Sequence, residues 1–410
     1  MLPVGPGSNP SFLLRAAVSI FLLVIIPLLA CAQGPVPPSD ENLVSKFLDQ
    51  QPLGSEHLKC EIKQQHPFLD FEFRFDVSYI VRCPVKEFGG KQSTLFTFIR
   101  ITPEGGQRKL FGEAFGLPEI PESMRAHTDI SKLKSEFDFS GGFAAGEGRY
   151  AVDVLVGDKQ SGRMCRKSWK VALARKHGEE KIPLTIGETV VVPMGFHHWE
   201  KKADPNGLRV TVLLDAAPIF PYSPKLRVWD RSFLLSTLSS VLEQIDYESV
   251  RVVAFNLDQQ KEIFRDHLSG TAGFRKLNQA MQDLELGKVS YQILQRREGA
   301  TELLTQLVAG EKNDPNASDL VILLGPHTRY TEKITVHLLQ PASPSTARNP
   351  QFFYLEYMPA WLRGSEFADN VEQVTKALGG KSFKIYSPSD LASAIQKIVA
   401  QVRTPARSAD

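Results

Sequence analysis

Leu208-Arg209-Val210-Thr211-Val212-Leu213-Leu214-Asp215 is the stretch on which the fold turns. It follows the turn Pro205-Asn206-Gly207 and reads as a strand buried on both faces, as parallel strands covered by helices are. Phe233, Leu234, Leu238, Val241, Leu242 and Ile245 then share one helical face, with Asp230 placed to cap it. Residues 250–255 predict a second strand and 261–264 a short edge strand. Phe274, Leu277, Met281 and Leu284 mark a second helix, and Leu303, Leu304, Leu307 and Val308 a third, after Gly299-Ala300-Thr301. Residues 320–324 and 352–357 are apolar strands. Phe367, Val371, Val374 and Leu378 form a helix stopped by Gly379-Gly380. Residues 383–386 give a last strand, and Ser387-Pro388-Ser389-Asp390 opens a helix with Leu391, Ala394, Ile395, Ile398 and Val402 inward. This alternation predicts an α/β doubly wound (Rossmann-like) domain over residues 205–403, with a short disordered tail at 404–410.

Upstream the apolar period falls to two. Leu69, Phe71, Phe73, Phe75, Val77, Tyr79 and Val81 alternate with mostly polar partners, as do Tyr150, Val152, Val154 and Val156. No helical period appears between residues 45 and 175, which predicts an all-β, immunoglobulin-like sandwich domain there. Cys60, Cys83 and Cys165 keep step with the inward residues of this region. An odd count gives no clean pairing, so three buried thiols are expected, with at most one bridge. Residues 176–204 read as a connector. Its cluster His197-His198-Trp199-Glu200 offers no third ligand at a sensible spacing, and neighbouring side chains of a strand point opposite ways.

Residues 16–30, AAVSIFLLVIIPLLA, form an uncharged run behind Arg15. It is shorter than the roughly 20 residues a transmembrane helix needs and matches the apolar core of a signal peptide. Ala30-Cys31-Ala32 supplies a cleavage site between Ala32 and Gln33, so residues 1–32 are expected to be removed. Residues 33–44, rich in Pro and Gly, then form an extended linker. A secreted or periplasmic protein follows, with no transmembrane helix after processing. Leu28-Leu29-Ala30-Cys31 also loosely matches a lipobox, which would leave a lipid anchor at Cys31.

The 410 residues carry 48 basic and 46 acidic side chains, a formal net charge of +2. No basic block interrupts that balance, so nucleic acid is excluded as a general partner. At about 150 residues per domain the length allows two or three domains with real cores.

The strand VTVLLD (210–215), the strand RVVAFN (251–256), the GAT turn (299–301), the strand DLVILL (319–324) and the closing GGKSFKIYSPSDLASAI (379–395) together resemble the von Willebrand factor A (vWA) family. The likeness is to its exported bacterial branch and spans roughly residues 208–403. The resemblance implies a vWA-like fold with its working surface at the carboxyl ends of the strands. Many such domains hold Mg²⁺ or Ca²⁺ there through a D-x-S-x-S turn, a distant Thr and a second Asp. Asp215 matches the first Asp and Thr301 the Thr. The two Ser positions are Ala217 and Ile219, and the second Asp gives way to Gly325-Pro326-His327. Asp215 and Thr301 are thus vestigial metal candidates. The expectation is a degenerate site without a cofactor, in which Asp215 accepts amides of its own turn and Thr301 caps its helix.

No G-x-S-x-G, HExxH, P-loop or GxGxxG motif is present. No catalytic residue is therefore assigned, and the protein is expected not to be an enzyme. The function expected is adhesion or scaffolding, with an interaction rim of Asp215, Ala217, Thr301, Gly325 and His327 and the segment 327–350, whose residues 331–339 predict a short strand. The partner is an unknown protein. Two alternatives use the same rim: an extracytoplasmic hydrolase built on Asp215 and His327, and metal-dependent adhesion through a residual cation site.

Overall fold

The computed structural model describes residues 33–49, 57–117, 119–125, 129–195, 199, 201–220, 223–287, 291–296, 298–314, 316–328, 330, 350–358 and 368–403. The signal peptide, Cys31, His197, His198, Glu200, the strand expected at 331–339 and the tail at 404–410 lie outside the described residues. The chain divides into two compact units, one of residues 1–69, 74–175 and 186–196, the other of 70–73, 176–185 and 197–410.

The first unit is built from two antiparallel sheets. Its elements are β1 (Gly34–Pro35), α1 (Glu41–Asp49), β2 (Glu61–Gln64), β3 (Phe68–Leu69), β4 (Phe75–Pro84), β5 (Ser93–Pro103), β6 (Lys109–Leu117), β7 (Glu136–Ala145), β8 (Gly148–Asp158), β9 (Met164–Leu173) and β10 (Val191–Pro193). One sheet runs β1-β6-β5-β8-β9, the other β10-β7-β4-β2, with β3 also paired to β4. Strand β4 alternates inward and outward residues along its whole length, burying Phe75, Val77, Tyr79, Val81 and Cys83.

Four expectations need correction here. The linker at 33–44 is not extended throughout: Gly34 and Pro35 pair with Gly112 and Phe111 of β6, but α1 begins at Glu41, inside it. Helix α1 continues into the region expected to be all-β. It forms because Val44 and Leu48, one turn apart, sink into a cluster with Val36, Phe96, Phe98, Leu110 and Leu155. The connector at 176–204 is divided: Val191–Pro193 pair with Phe143, Ala144 and Ala145 of β7, while 176–185 belong to the second unit. The alternating run from Leu69 to Val81 is also not one strand. It breaks at residues 70–73, where Phe73 adopts φ of 57°, and these four join the second unit, placing the Phe71 ring 4.6 Å from Phe233.

The expectation of three buried thiols also falls. Cys60 and Cys165 form a disulfide with a Cα separation of 6.3 Å, which leaves Cys83 as a free, buried thiol. Parity placed all three side chains inward, but only the pairing of distant strands sets which two approach within bridging distance.

The second unit holds β11 (Leu208–Asp215), α2 (Val228–Gln244), β12 (Tyr247–Asn256), β13 (Lys261–His267), α3 (Gly270–Gln282), α4 (Tyr291–Gln295), α5 (Gly299–Asn313), β14 (Leu320–Pro326), β15 (Gln351–Tyr357), α6 (Asn370–Ala377), β16 (Lys381–Ile385) and α7 (Pro388–Arg403). The sheet order is β13-β12-β11-β14-β15-β16, parallel throughout except for β13. On one face Leu213, Val253, Phe255, Val321, Leu323, Phe352 and Tyr354 pack with Leu304, Leu307 and Val308 of α5 and Val371 and Val374 of α6. Burying such apolar side chains contributes about 1.5–3 kcal/mol each. The alternate residues Val210, Val212 and Leu214 are buried as well, so β11 is covered on both faces.

Two helix starts differ from expectation. Asp230 is the third residue of α2 and not its cap: its carboxylate accepts the amide of Arg227 at 2.9 Å and that of Ile219 at 3.1 Å. Helix α6 starts at Asn370 with Asp369 as its cap, and Phe367 lies outside the described residues. Among the described residues no helix is long and apolar enough to cross a membrane.

Candidate functional site

Because β11, β12, β14 and β15 run parallel, their last residues come together at one end of the second sheet. Asp215 closes β11 there. Its carboxyl group is buried, and neither oxygen has a hydrogen-bond partner. Burial pushes its pKa well up, and the charges of Asp258 and Asp369 add to that. The expectation that Asp215 accepts amides of its own turn is therefore corrected. The turn is held by other groups: the Ala216 amide donates to Phe255 O at 2.7 Å, and Asn256 Nδ2 donates to Ala216 O at 2.8 Å. Ala217, next in line, is half-buried.

Gly325 in β14 sits directly against Asp215, with room for no side chain between them. Thr301 lies in the first turn of α5, whose cap is Glu298, so Thr301 is not the N-cap expected. The Thr301 hydroxyl is buried and makes no hydrogen bond to Asp215 or to any other group. The two vestigial metal candidates are thus not joined by any direct bond.

His327 follows β14 and turns inward, its side chain only 4% exposed. Its Nδ1 bonds to Oε1 of Glu356, on β15, and lies 3.6 Å from Oδ2 of Asp369. Burial alone would lower the imidazole pKa. The bond to Glu356 and the charges of Asp369 and Glu356 outweigh burial and raise it, against an opposing push from Lys384. Asp369 is fixed as the α6 cap: Oδ1 accepts the Glu372 amide at 2.8 Å and Oδ2 the Thr328 amide at 2.8 Å. Burial raises its pKa, and those two amides oppose the rise. The Tyr354 hydroxyl also donates to Asp369 Oδ2 at 3.3 Å. Nearby, the Tyr330 hydroxyl donates to Asp258 at 2.8 Å.

Sequence reasoning named His327 and missed both carboxylates that hold it. Glu356 carried a signal, since it is the one acid within the apolar strand QFFYLEY, where an ionisable group needs a partner. Asp369 carried one too, standing three residues before Glu372 at a helix start.

A second set of residues on this rim was not foreseen. Phe220, in the loop after β11, is 51% exposed, and Val228 and Trp229, at the start of α2, are 70% and 75% exposed. Tyr291, in the segment that leads into α5, is 74% exposed. The Leu286 and Gly287 amides both donate to Pro224 O at 3.0 Å, tying the two segments together.

No family model and no curated protein matches this chain. Among solved structures, a β-glucuronidase from Bacteroides uniformis aligns at 9% identity, covering 84% of this chain and 31% of that one, with a TM-score of 0.18. A putative β-galactosidase from Bacteroides fragilis aligns at 10% identity over 73% of this chain and 42% of its own, also at a TM-score of 0.18. The chain therefore spans less than half the length of either, and at such scores neither likeness bears on fold or chemistry.

Proposed function

We propose that this is an exported, vWA-related binding protein that contacts a protein partner through the loops at the carboxyl ends of its parallel strands. The observation that carries this reading is the exposed set Phe220, Val228, Trp229 and Tyr291 on two tied segments of that rim. Large apolar side chains grouped on a surface favour association, and Trp and Tyr dominate the energy of protein interfaces. The strand order, which is that of doubly wound sheets, supports the rim as the working surface. The Cys60–Cys165 bridge supports an oxidising, extracytoplasmic compartment. Release by cleavage after Ala32 is the processing route proposed, with a lipid anchor at Cys31 as its alternative. The partner meets the rim without a cation bridging through Asp215 and Thr301.

A photo-crosslinking residue placed at Trp229 or Tyr291, in cells, tests the reading. Both positions should capture the same partner, an exposed control at Asn206 should not, and Trp229→Ala should weaken capture from Tyr291 without lowering the melting temperature. Equal capture from Asn206, or none from either rim position, sinks it.

The hydrolase reading has one observation in its favour, an imidazole oriented by carboxylates at His327. Against it, Asp215 is buried and the His327 side chain is only 4% exposed. Turnover in an ester, peptide and phosphate panel that His327→Ala abolishes would favour that reading over binding.

A further inference from the structure

His327, Glu356 and Asp369 each present one ligand atom, and these three atoms lie within 4.8 Å of one another. They come from the end of β14, the end of β15 and the cap of α6. We propose that they bind a divalent transition-metal ion, with Zn²⁺ as its representative, that clamps the two strand ends to the helix start.

The spacing suits one ion. At metal–ligand bonds of about 2.1 Å, two ligands of a tetrahedral ion stand about 3.4 Å apart, close to the 3.6 Å between His327 Nδ1 and Asp369 Oδ2. The ion takes the place of the proton in the hydrogen bond between His327 Nδ1 and Glu356 Oε1. Imidazole with carboxylates is the donor set of Zn²⁺ and its neighbours, while Mg²⁺ prefers oxygen and water.

A further observation supports a cation at this site. Glu356 is completely buried, and its Oε2 has no hydrogen-bond partner. The Tyr354 hydroxyl donates to Asp369 Oδ2 at 3.3 Å, the same oxygen that lies 3.6 Å from His327 Nδ1. A buried carboxylate oxygen without a partner is costly, and a cation at this site would satisfy it. The ligand side chains are at most 4% exposed, so the ion is structural. This inference does not rest on the binding function: failure of crosslinking at Trp229 leaves it standing, and loss of the metal leaves the rim reading standing.

The test is equilibrium dialysis of the full chain against Zn²⁺ at neutral pH, followed by thermal melting. One ion per chain should be retained and should raise the melting temperature. Glu356→Gln and Asp369→Asn should each weaken binding at least tenfold and remove the shift. In ¹⁵N-histidine spectra of the wild type, one equivalent of Zn²⁺ should displace a single imidazole, at its Nδ1. That measurement decides the matter even where a variant fails to fold. No retained ion, no displaced imidazole, or unchanged affinity in a folded Glu356→Gln protein overturns the proposal.

Discussion

Gly325 lies so close to Asp215 that a Cβ built on it would come 2.7 Å from the Asp215 Cβ. Both belong to neighbouring parallel strands, with Leu214 in register with Leu324, so neither backbone can retreat. Gly325→Ala should therefore destabilise the second unit by about 1–3 kcal/mol, the usual cost of overpacking. Gly310→Ala is the control, because nothing lies within 4 Å of a Cβ there. That residue is on α5, where Ala is favoured over Gly by up to about 1 kcal/mol. Urea titrations of the two variants should move in opposite directions.

The disulfide joins residues 105 positions apart. Cross-linking a loop of that length restricts the unfolded chain, so Cys60→Ser with Cys165→Ser should cost about 2–5 kcal/mol. Reductant should lower the melting temperature of the wild type and leave the double variant unchanged. Burial pushes the Cys83 thiol up to about 12, with the charges of Glu87 and Asp138 adding to it. Iodoacetamide should accordingly spare Cys83 in the native protein and label it once the chain is unfolded.

Glu113, on β6, is pushed up to about 7 by burial, and its Oε1 lacks a hydrogen-bond partner. Its folded pKa thus stands above the unfolded value near 4.5. Between those two values the folded state holds a proton that the unfolded state releases, so stability falls as pH rises through that window. Below it the group contributes no penalty, and above about 7 the penalty is complete, at roughly 3 kcal/mol. Glu113→Gln mimics the protonated group. It should be more stable than the wild type at pH 8, equal to it near pH 4, and flatter in between, as denaturant midpoints across the range would show.

Arg251 lies between two acids, 3.0 Å from Asp314 and bonded to Glu311, which is almost wholly buried. Removing the guanidinium strands the Glu311 carboxylate, although Arg265 at 3.6 Å retains part of the pairing. Arg251→Met should cost about 3 kcal/mol, the low end for a broken buried pair. Adding Glu311→Leu should recover most of that loss, since an apolar pair has no charge left to desolvate. A double-mutant cycle measured by chemical denaturation checks both statements.

Local pattern specified most of the strands and helices of this protein. Period two in Tyr150, Val152, Val154 and Val156 sets which side of β8 is buried, and the spacing of Val371 and Val374 sets the inward face of α6. Composition also misled. The prolines at 35, 37 and 38 suggested an extended linker, yet Val44 and Leu48 could bury themselves on the sandwich and drew the chain into α1. The break at Phe73 was equally hidden, because residues 70–73 keep the alternation of the strand they interrupt.

By itself, then, the sequence determined the order of strands and helices in the second unit and which of their faces are apolar. Asp215 and His327 were legible at that level, as polar residues following buried runs. Only the tertiary structure decided that Cys60 meets Cys165, that Gly325 closes over Asp215, and that His327 finds Glu356 and Asp369, 29 and 42 residues away in the chain. These are encounters between segments that carry no mark of each other. The strand order of a sheet brings them together, and that order follows from packing the whole set of apolar faces at once.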